Sequence, residues 1–382
     1  MQITADWLRA DASQAVLSAL SEQGFAAYFV GGCVRNALLN APVSDLDVAT
    51  SARPKDVDAL MQAKGFRTVP TGLDHGTITV IIDGQSFEVT SFRKDVETHG
   101  RRAVVAFSSD IHDDARRRDF TMNALYADAN GVVTDPLNGL PDLLARRLRF
   151  IEDADTRIKE DYLRILRYFR FFAWYGDQTE GLDPDALSAI TANLDGLDQL
   201  SKERIGAEMR KLLSADHPEI AVATMEQTGV LNQILPGCSA RALGPLVHLE
   251  SQLGLPKDWL RRLLVLGGRE LKSALRLSNA DAARIKKFKL ANEAAASIRE
   301  TAYRFGAATA LDLALVQSAS LGAAVDPKVL QLAEQGAAAV CPVTAKDLPD
   351  YEGKALGIKL REVEANWIGS GFTKTKADLL GD

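Results

Sequence analysis

The sequence predicts an α+β protein in which a small head with a mixed sheet is followed by an elongated, all-helical region. Short apolar strand patterns recur between residues 26 and 92, and helical segments at 33–40 and 54–64 separate them. After about residue 155, Ala, Leu, Glu, Lys and Arg dominate the sequence and no strand pattern remains. This second part is therefore expected to be helical to its end.

The elements of the head follow in order from local patterns. Residues 1–24 carry apolar residues at helical spacing and predict a helix. Asp83-Gly84-Gln85 separates two strands and favours a hairpin turn. The charged stretch 93–115 is interpreted as a mobile loop, because a loop this long in a compact domain is usually functional or disordered. The predicted strands are 26–30, 45–49, 77–82 and 86–92.

Composition limits the class of protein. A length of 382 residues suggests about two to four domains. The formal net charge of −6 excludes a polycation, so any nucleic-acid contact has to come from local basic patches. The cysteines are far apart in sequence, at Cys33, Cys238 and Cys341, which favours a reduced cytoplasmic protein over a disulfide framework. No membrane-spanning segment is expected.

The first candidate site joins Gly31-Gly32, Arg35 and the pair Asp45 and Asp47. Side chains alternate along a strand, so the two aspartates are expected on one face. Paired carboxylates suit Mg²⁺, whose remaining ligands are often phosphate oxygens. Glycines let backbone N–H groups approach an anion, and an arginine offers a planar donor for phosphate. The group therefore predicts a metal–triphosphate site.

Glu88 is a candidate third carboxylate for the metal, since it lies on the second strand of the predicted hairpin. The alternative, a strand residue that faces solvent, is nearly as well supported. The pair Asp45 and Asp47 alone would also be compatible with exposed aspartates at a strand end. The glycines and Arg35 directly upstream favour the metal site.

The second group is the run from Arg116 to Leu125, which contains Arg117, Arg118, Asp119 and Asn123. Three arginines beside an apolar segment must face anions or water, because burial of an unpaired charge is costly. A solvated basic turn is one interpretation. The other places the arginines on phosphates and lets Asp119 accept a hydrogen bond from a ribose hydroxyl.

In the third group, Asp161, Arg164, Arg167 and Arg170 step by three residues, so on a helix they would share one flank. An ion pair on a solvated face is the simpler interpretation. A carboxylate beside a guanidinium can also bind a base edge that offers an amino group next to a ring acceptor. Cytosine and adenine have this order, whereas guanine and uracil have the opposite one.

In this order, the three groups resemble class II tRNA nucleotidyltransferases, the bacterial-type CCA-adding enzymes, and their poly(A) polymerase relatives. The resemblance is strong over about residues 26–175. One departure is Asn36, where the family usually has Asp. The matching motifs are Gly31-Gly32-x-Val34-Arg35, Asp45-x-Asp47, Arg117-Arg118-Asp119-Phe120-Thr121-x-Asn123-Ala124-Leu125, Asp135-Pro136-x-x-Gly139, Glu160-Asp161-x-x-Arg164 and, more weakly, Glu203-Arg204-Ile205-x-x-Glu208.

The resemblance implies addition of CMP, CMP and AMP from CTP and ATP to the tRNA 3′ end, with release of pyrophosphate. Asp45 and Asp47 would hold Mg²⁺ and activate the primer hydroxyl, and Asp161 with Arg164 would select C and A. The stretch 93–115 would be the family's flexible loop. The residues expected to bind nucleotide are Gly31, Gly32, Arg35, Arg118, Asp119, Asn123, Asp161, Arg164, Arg167 and Arg170.

The same resemblance implies a chain of four parts. A catalytic head would cover residues 1–150, a neck 151–220, a body 221–320 and a tRNA-binding tail 321–382. Lys286, Lys287 and Arg361 are candidate phosphate contacts, although such residues are more often a solvated face.

Three alternatives remain open. The nearest is a poly(A) polymerase, or an enzyme that adds only CC or only A, since these share the head motifs. A catalytically idle RNA-binding module is disfavoured by the intact Asp45 and Asp47. A nucleotidyltransferase acting on small molecules is disfavoured by the paired Asp161 and Arg164 and by the long helical region.

Overall fold

A computed structural model describes residues 1–72, 76–99 and 102–381. The chain divides into two units, Met1–Cys238 and Ser239–Asp382. The finer boundaries expected at residues 150, 220 and 320 stay predictions.

The first unit contains a seven-stranded sheet of order β3-β4-β5-β2-β1-β8-β9. Strands β2 and β5 pair in parallel, whereas the other neighbours pair antiparallel, so the prediction of a mixed sheet is confirmed. The strands of this sheet are β1 (Ala27–Val30), β2 (Leu46–Thr50), β3 (Arg67–Gly72), β4 (Thr77–Ile82), β5 (Gln85–Ser91), β8 (Tyr126–Ala127) and β9 (Val133–Thr134).

The hairpin predicted around Asp83-Gly84 joins β4 and β5. Ile82 pairs with Gln85, and the two turn residues have φ angles of 50° and 83°. Positive φ at both central positions is the requirement of a type I′ turn, which asparagine, aspartate and glycine tolerate. Burial alternates along β4, as expected for a strand with one face on the core.

The interpretation of residues 93–115 as a loop is wrong for most of its length. Strands β6 (Arg93–His99) and β7 (Arg102–Phe107) form an antiparallel ribbon, and helix α5 (Ile111–Arg116) follows. Gly100 and Arg101 lie outside the described residues. The charged composition concealed the strands, because a two-stranded ribbon need not bury one face in the way that sets the alternating pattern.

Over the described residues of the first unit, eleven further α-helices accompany α5. Residues 1–24 contain two short helices rather than one. The helices are α1 (Asp6–Arg9), α2 (Asp11–Ser21), α3 (Gly32–Leu38), α4 (Pro54–Ala63), α6 (Leu140–Leu144), α7 (Ala154–Glu160), α8 (Leu163–Tyr175), α9 (Pro184–Ala192), α10 (Lys202–Leu213), α11 (Glu219–Gln227) and α12 (Val230–Ile234).

The second unit is helical over its described residues, as predicted. A buried ion network lies inside it: Arg261 bridges Glu250 and Asp312, and Arg262 pairs with Glu250 at 2.8 Å. Nowhere in residues 1–72, 76–99 and 102–381 is a helix both long and apolar enough to cross a membrane. The helices are α13 (Leu243–Gln252), α14 (Trp259–Leu266), α15 (Leu271–Ala274), α16 (Asn279–Ala294), α17 (Ile298–Phe305), α18 (Ala307–Leu321), α19 (Val329–Ala338), α20 (Gly353–Gly369) and α21 (Lys376–Leu380).

The segment from Asp135 to Gly139 supports the turn that carries the second motif. The Asp135 carboxylate accepts hydrogen bonds from the N–H groups of Gly139 and Leu140, at 2.8 and 2.9 Å, where helix α6 begins. A Cβ atom at Gly139 would lie 2.2 Å from the carbonyl oxygen of Thr121. The glycine is therefore required by close approach of two backbones.

Replacement of Gly139 by alanine is expected to displace the Thr121 backbone. Overpacking of this kind costs about 1–3 kcal/mol of unfolding free energy, and thermal denaturation would show it as a lower midpoint. Gly357→Ala is the matched control, because Gly357 lies within α20 with open space around it. Alanine is about 0.5–1 kcal/mol better than glycine there, so the control should not fall. Equal midpoints for the two variants would contradict this explanation of Gly139.

Candidate active site

The paired aspartates lie at the start of β2 and share one face. Leu46 and Val48 are buried, whereas Asp45 is exposed and Asp47 is half-buried. Side chains alternate along a strand, so the aspartates point away from Leu46 and Val48, whereas Ala49 and Thr50 beyond them are both buried. The Ser44 hydroxyl donates to Asp45 at 3.0 Å.

Asp47 has an unfavourable electrostatic environment. Burial and the negative charges of Glu88 and Asp45 raise its pKa to about 6, although the positive charge of Arg118 opposes them. Glu88 lies directly opposite Asp47 in the parallel β2–β5 ladder. A bound cation would relieve the repulsion among these carboxylates.

The role of Glu88 as a third metal-binding carboxylate stays a prediction. Over the described ranges, no three His, Cys, Asp or Glu side chains gather closely enough to hold a metal ion. Glu88 is exposed and acts on Asp47 through its charge. The pair Asp45 and Asp47 still fits Mg²⁺, which is usually held by one or two carboxylates together with substrate phosphates.

Gly31 and Gly32 form the turn between β1 and α3. Gly31 has φ of 71°, a left-handed value that favours glycine. A Cβ atom there would lie 3.5 Å from Nη1 of Arg118. The turn thus allows an arginine of the second motif to approach the backbone of the first.

Arg35 is 6% exposed and is surrounded by neutral partners. Its guanidinium donates to Oδ1 of Asn36, at 2.9 and 3.2 Å, to Oδ1 of Asn123 and to the Tyr175 hydroxyl at 2.8 Å. Its Cζ lies 4.0 Å from the Tyr175 ring centre. Burial lowers its pKa. Because Asn36 is uncharged, no carboxylate in direct contact neutralises this guanidinium.

Asp114 organises the arginines of the second motif, and sequence reasoning missed it. This carboxylate has no exposed surface, and it accepts from Nε of Arg117 at 2.7 Å, Nη2 of Arg118 at 2.9 Å and the Tyr126 hydroxyl at 2.8 Å. Burial opposes ionisation, but the two guanidinium charges outweigh it and lower the Asp114 pKa to about 2. Its spacing of three and four residues before these arginines was the available signal.

Asp119 connects the head to helix α8. One carboxylate oxygen accepts from the Phe120 N–H and the Asn123 amide, each at 2.9 Å. The other accepts from Nε of Arg167 at 2.7 Å and from Nη2 of the same residue. Burial opposes ionisation, but the charge of Arg167 outweighs it and holds the Asp119 pKa well below its usual range. With four donors bound, a ribose hydroxyl would have to displace one of them.

Asp161 does not lie on a helix with the three arginines, so the prediction of one continuous helical flank is wrong. It has extended backbone between α7 and α8, and its side chain accepts from the Leu163 N–H at 3.1 Å. Its other carboxylate oxygen accepts from Nη2 of Arg204 at 2.6 Å. Arg164 pairs with Glu160, so Asp161 and Arg164 do not neutralise each other.

A cavity of about 580 Å³ brings most of the predicted residues together. Arg170 is not in its lining; it pairs with buried Glu208 at 2.6 Å. Asp45 and Glu88 are also outside the lining. Seven arginines and three aspartates leave the cavity with an excess of positive charge, which suits a polyanion. The lining comprises Gly31, Gly32, Arg35, Asp47, Arg93, Arg117, Arg118, Asp119, Asn123, Asp161, Leu163, Arg164, Arg167, Phe171 and Arg204.

Five lining residues were absent from the predicted site: Arg93, Arg117, Leu163, Phe171 and Arg204. Arg117 belongs to the arginine run of the second motif. Arg204 had a signal in the weak Glu203-Arg204-Ile205 motif. Arg93 lies in the segment interpreted as a loop, and Leu163 and Phe171 have apolar side chains, which give no charge signal. The alternatives of a solvated basic turn and a solvated ion pair do not describe this cavity, in which the charged groups of both motifs line one space.

Comparison with known proteins identifies similar chains. A family model described as the poly A polymerase head domain matches residues 27–149. A second, described as a probable RNA and SrmB-binding site of polymerase A, matches residues 181–241.

The CCA-adding enzyme of Geobacillus thermodenitrificans is 32% identical over 374 residues, which cover 92% of this chain and 90% of that protein. The human mitochondrial CCA tRNA nucleotidyltransferase 1 is 43% identical over 188 residues, but these cover 49% of this chain and 43% of that protein. The crystal structure of the Bacillus stearothermophilus CCA-adding enzyme in complex with CTP is 28% identical. It superposes with a TM-score of 0.71 over 96% of this chain and 94% of that one.

The geometry around Asp114 predicts a pH-dependent loss of stability in Asp114→Asn. The folded pKa is below the ordinary value, so the stabilisation is complete above about pH 4 and is lost as pH falls through about 2. At pH 7 the variant should lose about 2 kcal/mol of unfolding free energy, measured by urea denaturation. About half of that difference should disappear at pH 3.

Glu152→Gln provides the control, because it removes the partner of Arg116 in the same arginine run. That pair is 3.7 Å apart and more than half exposed, so its loss should change stability by less than about 1 kcal/mol at either pH. A deficit in Asp114→Asn that stays constant between pH 7 and pH 3 would refute the assignment.

Proposed function

The chain belongs to the CCA-adding enzymes, a family of tRNA nucleotidyltransferases, and we propose that it adds CMP, CMP and then AMP to the 3′ end of tRNA. The substrates are CTP and ATP, pyrophosphate is released, and no nucleic-acid template is used. The observation that carries this proposal is one cavity lined by Asp47, by Asp161 and by seven arginines, among them Arg164.

Asp45 and Asp47 are proposed as the catalytic carboxylates. The family depends on divalent metal ions, and we propose Mg²⁺ because these ligands are carboxylate oxygens. When bound there, the ion supplies charge neutralisation and activates the primer 3′-hydroxyl. The carboxylates orient that hydroxyl, and Glu88 adds negative charge beside Asp47.

The arginines are proposed to bind the triphosphate. Arg118 approaches the Gly31 turn, and Asp114 fixes its orientation. Arg35 has uncharged partners in contact, so its positive charge remains for the phosphates. Phosphoryl-type transfer is catalysed mainly by positioning and charge stabilisation, which these groups provide.

Asp161 and Arg164 are proposed to select the base. The carboxylate accepts from the exocyclic amino group, and the guanidinium donates to the neighbouring ring acceptor, an order that cytosine and adenine share. Arg204 holds Asp161 from the side. Asp119 and Asn123 are proposed to lie on the sugar side, where Asp119 also fixes Arg167.

The tRNA is proposed to extend over exposed basic residues of the second unit, among them Lys286, Lys287 and Arg361. Contacts of this kind are salt-sensitive and reversible, which suits turnover over many tRNAs. We also propose a cytoplasmic location, in keeping with three free cysteines.

Incorporation into tRNA that lacks its 3′ terminus tests the function directly. With Mg²⁺ and labelled CTP and ATP, we expect three additions in the order C, C, A, followed by a stop. The match to the poly A polymerase head domain leaves poly(A) polymerase as an alternative function, and synthesis of long A tails would establish that activity instead. Addition of only C residues or only A would indicate a partial enzyme, and no incorporation would favour an idle RNA-binding module.

Asp47→Asn is expected to lower the rate of addition by about 10³-fold or more, because it removes a charge from the reacting centre. Stability should not fall, since the lost carboxylate is repelled by Glu88 and Asp45. Asp56→Ala, an exposed aspartate in α4 of the same unit, should retain wild-type activity. Retained activity in Asp47→Asn would reject the carboxylate assignment.

Asp161→Ala and Arg164→Ala are expected to lower discrimination of CTP and ATP against UTP and GTP. A good bidentate base contact contributes about 1–3 kcal/mol, so the ratio of kcat/KM values should fall roughly 5- to 150-fold. Lys159→Ala is the control, because its exposed side chain pairs with Asp155 on α7. Unchanged selectivity in both test variants would remove the base-selecting role.

A further inference from the structure

Arg157 is a buried arginine behind the nucleotide cavity. It lies in the last turn of α7, is 5% exposed and is not part of the cavity lining. Its Nη2 donates to the carbonyl oxygens of Arg117 and Arg118, each at 2.6 Å, and its Nη1 donates to the Glu160 carboxylate. One side chain thus joins the arginine turn of the second motif to the start of the third.

Arg164 uses two of the same acceptors. Its Nη1 donates to the Glu160 oxygen that also accepts from Arg157. Its Nη2 donates to the Arg117 carbonyl at 3.3 Å, where Arg157 donates as well. The Arg157 backbone carbonyl accepts from Nη1 of Arg164 at 2.7 Å. The orientation of Arg164 is therefore set by Arg157, both directly and through shared partners.

A count of the N–H groups of Arg164 shows which of them can still donate to a nucleotide base. A guanidinium has five N–H groups, and three of those on Arg164 are used by these acceptors. The Nε proton and one Nη2 proton have no acceptor within the part of the chain that the structure describes. A base edge requires donors of this kind, and Arg164 lines the cavity.

We infer that Arg157 is a positioning residue for base selection, which holds Arg164 in its selecting orientation and keeps it in register with the Arg117–Arg118 turn. This inference rests on the proposed function. The planar fork of a guanidinium donates to a carboxylate and two carbonyl oxygens at once, whereas the point charge of lysine lacks that geometry. An Arg157→Lys change keeps the charge and removes the fork.

The test is the ratio of kcat/KM for CTP over UTP, measured with tRNA that lacks its 3′ terminus. In Arg157→Lys the ratio should fall about tenfold, because Arg164 loses its fixed orientation. A merely structural role would lower both values alike and leave the ratio unchanged. Arg262→Lys is the matched control: this arginine is 2% exposed and pairs with Glu250 in the second unit, so only stability should fall.

A wild-type ratio in folded Arg157→Lys would overturn the inference. If that variant does not fold, Glu160→Gln decides instead, since it keeps a hydrogen-bond acceptor but removes the shared charge. A fall in its ratio supports the positioning role, and a wild-type ratio overturns it. Failure of the wild-type protein to add any nucleotide would contradict the proposed function, and is thus distinct from either result.

Discussion

The active site depends on a buried chain of hydrogen bonds that runs from Arg35 through Asn123 and Asp119 to Arg167. Its members come from α3, the turn after the arginine run and α8, so it fixes three parts of the first unit relative to each other. Asp119 and Asn123 are less than a tenth exposed, and polar groups buried to that degree are costly unless paired. The pairing is nearly complete, which explains how a polar site can be rigid without substrate.

Electrostatic balance in this site divides the arginines into two kinds. Arg118, Arg167 and Arg204 each contact a carboxylate, respectively Asp114, Asp119 and Asp161, and are thereby oriented. Arg35 contacts neutral groups, among them Asn36 and the Tyr175 hydroxyl. The amide oxygen of Asn36 accepts two hydrogen bonds from Arg35 and so orients its guanidinium. Because the amide is uncharged, it does not neutralise the positive charge of Arg35.

Sequence patterns predicted the features that depend on interactions between residues close together in the chain. The alternation in β4 and the Asp83-Gly84 turn depend on neighbours in sequence, and the structure has them as expected. The ribbon of β6 and β7 was missed because its charged residues do not alternate with apolar ones. The helix break at Asp161 was missed because a helix pattern continues on both sides of it. Motif resemblance, rather than periodicity, located most of the cavity lining.

Residues that act through others were the hardest to predict. Asp114 had an i,i+3 and i,i+4 signal, and Arg157 had an i,i+3 signal toward Glu160, but the contact of Arg157 with the Arg117 carbonyl and the pairing of Glu208 with Arg170 form only after the chain has folded. Arg204 and Asp161 are 43 residues apart in the sequence, so no short motif contains both of them. Paired aspartates on β2 define a place for chemistry that many nucleotidyltransferases could use. The proposed base selection needs Asp161 and Arg164 to remain unpaired with each other, and the structure pairs Asp161 with Arg204 and Arg164 with Glu160, which Arg157 also contacts.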